Sequence, residues 1–258
     1  MCAEPSAGRP AGWPEGVGRL VLEETDSTNA EAARRAGDPG GPLWILAHRQ
    51  TAARGRRGRE WINSAGNFAA TLLMRPTGAA AAVALRSFAA ALALAEALEA
   101  LTGAGPEIAL KWPNDVLLNG GKVAGILLES AGAGGAVSHL AIGFGVNLIV
   151  APAPEAVEPG AALPVSVLAE TGVRVLPEVM LAHLAPAFAR LEDQFVRYGF
   201  GPIRSAWLAR AARLGQRVTA RTTGETISGR FETLAEDGAL VLATPEGRRL
   251  IPAAEVFF

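Results

Sequence analysis

The apolar and polar positions divide the chain into three stretches. In the first, short apolar runs bounded by turn residues predict strands at Arg19–Glu23, Leu43–Ala47, Phe68–Met74, Ile108–Leu110, Val116–Leu118, Val123–Leu128 and Val137–Asn147. Between the first two, Thr25-Asp26-Ser27-Thr28-Asn29 leads into Ala30–Arg35. Short polar side chains ahead of an Ala-rich run mark a helix N-terminus, serving either as a plain cap or as free N–H groups and hydroxyls that bind a polar ligand. Ala79–Leu101, closed by Gly103, predicts a helix that is apolar nearly all round. Arg86, Glu96 and Glu99 interrupt it, and its longest unbroken run, Phe88–Ala95, is far short of the ~20 residues that cross a bilayer. The pattern therefore predicts a core helix and no membrane span.

In the second stretch a Pro- and Ala-rich connector, Ala151–Pro164, precedes a short helix at Ser166–Glu170. Leu176–Tyr198 carries Leu181, Leu184, Phe188, Leu191 and Phe195 at amphipathic helical spacing, with Pro177 in its first turn. Pro202–Arg213 predicts a further helix, closed by Gly215. From about Leu214 the pattern changes to short strands at Arg217–Arg221, Thr226–Thr233, Ala239–Thr244 and Arg248–Pro252, separated by Gly-containing turns, which suggests a small barrel. The expected organisation is a loose tail at 1–18, a large domain at 19–213 and a small one at 214–258.

Composition narrows the classes. Half of the 258 residues are apolar and 19% are charged, as in a globular protein with a sizeable core. Twenty-four basic residues against 25 acidic give a net charge of −1, so bulk charge offers no argument for nucleic acid or anionic membrane. The single cysteine, Cys2, excludes an internal disulfide framework and suits a reducing cytoplasm. Residues 1–18 lack the apolar region of a signal peptide.

Two polar strings carry candidate chemistry. Lys111-Trp112-Pro113-Asn114-Asp115 breaks one strand run, and Asn119-Gly120-Gly121 turns the next back on itself, so Lys122 returns toward Asn114 and Asp115. Two cations, a carboxylate and an amide then share one sheet edge, as turn formers or as a site. Upstream, five arginines between Arg49 and Arg59 lie in a loop without apolar periodicity. Guanidinium groups bind phosphate through paired, charge-assisted bonds, and Gly55 and Gly58 let the backbone approach an anion. A solvated basic loop and a nucleic-acid contact are the other readings of that loop. Gly143 and Gly145, inside a strand, suggest close approach of a ligand or backbone, or a bulge.

In order, Asp26-Ser27-Thr28-Asn29, Arg54-Gly55-Arg56-Arg57-Gly58-Arg59-x-Trp61, Lys111-Trp112-Pro113-Asn114-Asp115, Lys122-x-Ala124-Gly125-Ile126-Leu127 and Gly143-x-Gly145-x-Asn147 resemble the motifs of a biotin–protein ligase across residues 19–258. The resemblance implies an α+β fold: a mixed sheet with helices on one side, related to class II aminoacyl-tRNA synthetases, followed by a small SH3-like β-barrel. It implies ATP-dependent biotinylation of a lysine on a biotin carboxyl carrier domain through biotinyl-5′-AMP, the activity of a biotin–[acetyl-CoA-carboxylase] ligase. ATP and biotin are then substrates, with Mg²⁺ on the polyphosphate and no metal fixed by side chains. Only about 18 residues precede the first strand, so a ligase form without the helix-turn-helix of repressor members is expected, with no DNA binding. Some members pair through sheet edges, which leaves a homodimer open.

Carried over residue by residue, the resemblance makes Lys122, Arg54 and Asp115 the catalytic candidates. Ser27, Thr28, Asn29, Gln50, Arg54, Gly55, Arg56, Trp112, Lys122 and Gly125 become candidates for biotin. Arg54, Arg56, Arg57, Trp61, Asn114, Lys122 and Asn147 become candidates for ATP and the adenylate. Ala53 stands where the family usually has Gly; alanine disfavours positive φ, so the loop is expected to fold differently if that position needs it. The competing readings are a lipoate–protein ligase with the same adenylate chemistry and, in another class, a nucleic-acid-binding module.

Overall fold

A computed structural model of the chain describes residues 12–258 apart from positions 39, 60, 63, 104, 134, 135, 158 and 159. Its elements run β1 (Gly18–Thr25), α1 (Thr28–Arg34), β2 (Leu43–Gln50), β3 (Phe68–Met74), α2 (Ala80–Ala84), α3 (Arg86–Thr102), β4 (Ile108–Lys111), β5 (Asp115–Leu118), β6 (Gly121–Ala133) and β7 (Ala136–Val146). They continue with α4 (Val167–Thr171), α5 (Pro177–Tyr198), α6 (Phe200–Ala209), β8 (Arg217–Arg221), β9 (Thr226–Leu234), β10 (Leu240–Thr244), β11 (Gly247–Ile251) and β12 (Glu255–Phe257).

β1 to β7 form one sheet in the order β1-β2-β3-β7-β6-β5-β4. Its β1–β2 pair is parallel, joined through α1, and the other neighbours are antiparallel. The remaining five strands make a small antiparallel sheet, β11-β10-β9-β8-β12, the SH3-like part of the chain. The fold is thus α+β, with a mixed sheet and a small all-β unit.

Side chains alternate between the two faces of a strand, and β2, β3 and β7 bury both. Trp44, Leu46, Leu72, Ile142 and Phe144 join the large core under α3 and α5. Ile45, Leu73 and Ala141 face the other way and form a smaller cluster with Ala32 of α1. Helices therefore lie on both faces, whereas one-sided packing was expected. The reason is that β1 to β3 are apolar on both sides, so α1 has a surface of its own to cover. α3 is buried continuously from Phe88 to Ala95, as an all-round apolar helix must be. The segment Ala80–Thr102 is long and apolar enough to cross a membrane by composition, yet 67% of its most apolar 18-residue stretch is buried inside the protein.

Four local expectations change. The helix expected across Ala79–Leu101 divides at Leu85 into α2 and α3. α6 begins at Phe200 and stops at Ala209, short of Arg213. Beyond it the chain extends along β4, where the Leu110 N–H donates to the Arg210 carbonyl and the Ala212 N–H to the Leu110 carbonyl, both at 2.8 Å. Sheet pairing has replaced helix there. β12, carrying Glu255, is a strand that no sequence pattern marked. Of the stretch expected as a tail, residues 1–11 lie outside the described residues, while Trp13 and Val17 pack on the large core.

The two sheets meet at a turn. The Trp112 indole N–H donates to the Gly238 carbonyl at 3.0 Å. Gly238 has φ +81°, and a Cβ there would lie 2.7 Å from the Phe88 ring. The turn thus needs glycine for both conformation and space.

Candidate active site

α1 covers only part of its sheet face. The uncovered part is floored by Gly125 and Leu127 of β6 and by Gly143 and Gly145 of β7, each pair two residues apart and so on one face. Gly125 pairs with Gly145, Leu127 with Gly143, and Gly143 also with Thr71 of β3. The ladder is regular here; its shift lies further along, at Ala131/Gly132. The two β7 glycines are therefore not a bulge, and what approaches them is side chain rather than backbone. Asn29 sits on Gly143, and a Cβ at Gly145 would lie 2.6 Å from the Trp61 indole.

Above this floor is a cleft of about 670 Å³. Ser27, Thr28, Asn29, Gln50, Arg54, Gly55, Arg56, Arg57, Trp61, Trp112, Asn114, Asp115, Lys122, Gly125 and Asn147 all line it. Strand pairing thus brings together segments up to about 120 positions apart that were singled out as separate strings.

One end of the cleft is neutral and polar. Gln50 Oε1 accepts from the Thr28 N–H at 2.8 Å and from its hydroxyl at 3.1 Å. The buried Thr71 hydroxyl donates to Asn29 Oδ1 at 2.6 Å, and Asn29 Nδ2 donates to Glu129 Oε2 at 2.8 Å. These bonds fix the Asn29 amide over Gly143. Because Gln50 takes the Thr28 N–H, that amide is not free for a ligand as the helix-terminus reading allowed. Ser27, the N-cap, makes no capping bond with its side chain. Asp26 points outward: it accepts from the Ser27 N–H at 2.7 Å and pairs with Arg34 at 2.7 Å. The Arg34 guanidinium, with the Ser27 amide, holds its carboxyl well below the usual carboxylate range.

The other end is charged. Lys122 Nζ meets Asp115 at 2.7 Å, and Arg54 faces Glu129 at 3.5 Å. Arg57 and Arg59 reach Glu255 at 3.9 Å and 2.5 Å. Arg56 donates to Asn114 Oδ1 at 3.3 Å, and Asn114 in turn donates to the Ile126 carbonyl at 2.6 Å. Burial pushes the Arg56 and Lys111 pKa values down. Asn147 Nδ2 donates to the Val165 carbonyl at 3.1 Å, while its buried Oδ1 has no partner among the described residues.

The loop that carries the arginines places its positive φ angles at Arg57 (58°) and Gly58 (72°), not at Ala53. Ala53 is buried, and its carbonyl accepts from the Trp61 N–H at 3.0 Å. Alanine is compatible with that conformation, so the departure from the family pattern costs the loop nothing in backbone geometry. Trp112 lines the cleft but is only 4% exposed and bonded to Gly238, which makes it part of the joint between the sheets as well as wall.

Several lining or supporting residues had no mark in the sequence reading. Glu129 lies two and four positions beyond Leu127 and Gly125 on the same strand face, a period-two signal that was there to be used. Thr71 is the one hydroxyl in an otherwise apolar strand. Glu255, Val256 and Phe257 reach the cleft only through the β12–β8 pairing. Among the described residues no group of three or more His, Cys, Asp or Glu side chains is placed to hold a metal ion.

Residues 20–147 match the family model described as the biotin/lipoate A/B protein ligase family, and residues 214–258 match the biotin protein ligase C-terminal domain. A biotin–[acetyl-CoA-carboxylase] ligase of Paracoccus denitrificans is 59% identical over 238 residues, 92% of this chain and 99% of that protein. A bifunctional ligase/repressor of Bacillus subtilis is 30% identical over 92% of this chain and 71% of its own length. Among solved structures, biotin protein ligase from Aquifex aeolicus in complex with biotin and ATP superposes with a TM-score of 0.78 at 26% identity, covering 93% of this chain and 97% of that one.

Proposed function

This chain belongs to the biotin–protein ligase family, and from that premise we propose roles for the residues around its cleft. It is a biotin–[acetyl-CoA-carboxylase] ligase, which biotinylates a carrier lysine at the expense of ATP through biotinyl-5′-AMP. In the first step a biotin carboxylate oxygen bonds to the α-phosphorus of ATP, and the bond to the β-phosphate oxygen breaks to release pyrophosphate. In the second a neutral lysine amine attacks the acyl carbon, AMP leaves with the bonding pair, and the amine loses a proton.

The observation that supports the assignment of roles is the division of one cleft into a neutral polar end and a cationic end. A ureido ring needs neutral hydrogen-bond partners in an apolar slot, which Thr28, Asn29 and Gln50 offer above Gly143. Two anions must approach each other for adenylation, so positive charge has to lie between them. Lys122, Arg54 and Arg56 supply it. Trp61 lies across Gly125 and Gly145 with Lys122 Nζ 5.8 Å from its ring, a flat surface for a base. Asn147 Oδ1, buried and without a partner among the described residues, is an acceptor for an exocyclic amine. Asp115 holds Lys122 and is the group placed to take or orient the acceptor proton. The nucleotide enters as its Mg²⁺ complex, since magnesium commonly rides on substrate phosphates with few protein ligands. The acceptor is a biotin carboxyl carrier domain.

Biotin-dependent exchange of pyrophosphate into ATP, without carrier protein, tests this reading. Exchange is expected with biotin and not with lipoate, and Lys122→Ala should lower it by about 100-fold or more while the thermal midpoint stays near wild type. Normal exchange by that variant would remove Lys122 from the reaction. Exchange driven equally by lipoate would displace biotin as the substrate.

A further inference from the structure

β6 crosses the cleft from end to end. It enters at Lys122, gives Gly125 and Leu127 to the floor, and carries Glu129 two positions further along the same face. Glu129 lies outside the lining but touches two residues that belong to it. Its Oε2 accepts from Asn29 Nδ2 at 2.8 Å, and its Oε1 faces the Arg54 guanidinium at 3.5 Å. One carboxylate thus holds a member of the neutral end and a member of the cationic end.

The two contacts do different things. An ionised carboxylate can only accept, so it admits the nitrogen of the Asn29 amide and not the oxygen. That sets Asn29 Oδ1 toward the Thr71 hydroxyl, which donates to it at 2.6 Å. Asn29 is buried, so the direction of its amide is fixed from both sides. The Arg54 pair is looser, with both side chains nearly half exposed, and adds little stability. It does restrict where the guanidinium of a loop residue points. Placement of that kind matters to a rate, since a shift of about 1 Å can cost about 100-fold.

We propose that Glu129 is a positioning residue for the adenylation step. Through one oxygen it sets the Asn29 amide for the neutral ring of the substrate, and through the other it aims Arg54 at the reacting anions. The inference rests on the adenylating reading and names the group that keeps its two seats in register. In biotin a flexible methylene chain joins the ring to the carboxylate, so seating the ring does not by itself place the carboxylate. A single side chain that holds both seats fixes their separation. Glu129 itself meets neither the ring nor the phosphorus.

The test uses the full chain and two variants that separate the arms. Glu129→Gln keeps an acceptor for Asn29 and removes the charge that faces Arg54. In biotin-dependent exchange it should lower kcat by about tenfold, with calorimetric biotin affinity within about twofold of wild type. Glu129→Ala removes both arms. It should show the same loss in kcat and bind biotin and biotin methyl ester about tenfold more weakly; the ester keeps the ring but not the charge. In an Arg54→Ala background, Glu129→Gln should change kcat by less than about twofold, because the residue acts through Arg54. Normal kcat in the Gln variant would overturn the proposal, as would losses that add in the double variant. Wild-type affinity of the Ala variant for the ester would overturn it too. So would biotin affinity and kcat falling in step in the Gln variant, which is what a merely structural residue would give. The Gln side chain has nearly the shape of Glu, so that arm stands if the Ala variant does not fold. Exchange by the wild-type chain is the control: its absence defeats the adenylating reading, whereas normal exchange by both variants defeats only this inference.

Discussion

At the scale of single residues, the cleft depends on what is missing from its floor. Gly143 and Gly145 point to the same face two residues apart, each under a different side chain. A methyl group at Gly143 would displace Asn29, and one at Gly145 would lie 2.6 Å from the Trp61 ring. The two substitutions should therefore separate the ends of the site. Gly143→Ala is expected to weaken biotin binding by about tenfold, which is about 1.4 kcal/mol, with a smaller effect on the KM for ATP. Gly145→Ala should do the reverse. Calorimetric biotin titration beside exchange kinetics reads both, and equal losses of both ligands in both variants would show that the floor acts as one unit.

At the scale of elements, α1 is a seven-residue helix held by pairs at its exposed rim as much as by its small core. Asp26 and Glu31 both meet Arg34, and Arg35 meets Glu31 at 2.6 Å. The Arg34 bond holds the Asp26 carboxyl below its ordinary range. A carboxyl whose folded pKa is depressed contributes stability above its unfolded pKa of about 4 and loses it as pH falls through the folded value. The melting-temperature gap between wild type and Arg34→Ala should therefore be constant above about pH 5 and close progressively as pH falls below about 4. The gap should be small, because both side chains are about half exposed. A gap that widens on acidification would mean that Asp26 is not the group responsible.

At the scale of the whole molecule, the small sheet completes the site of the large one. Glu255 on β12 gathers Arg57 and Arg59 from the loop and Arg221 from β8, at 3.9, 2.5 and 2.9 Å. The loop is thus tied to an element almost 200 positions away. Glu255→Gln keeps the shape of the side chain and removes the charge that gathers these arginines. It should release the loop, so that trypsin cuts at 54–59 several-fold faster, and should raise the KM for ATP by about threefold to tenfold with the midpoint of unfolding little changed. An unchanged cleavage rate would show that the loop holds its conformation without the small sheet.

The sequence by itself determined the kinds of element and most of the cleft's members. Apolar period, capping residues and Gly-rich turns act over a few residues, so Phe68–Met74, the Asn119–Gly120 turn with φ of 50° and 82°, and the buried α3 were legible without coordinates. The two polar strings were legible too, since turn and anion-binding chemistry is written in contiguous residues. Tertiary structure decided what depends on distant partners. It placed α1 on the second face of the sheet, turned Arg210–Ala212 from helix to strand pairing, and brought Glu255 to the arginine loop. It also set which carboxylate meets which cation, pairing Asp115 directly with Lys122. Such outcomes follow from pairing across 100 to 200 positions, where no local periodicity carries information and only the closed sheet sets which charges meet.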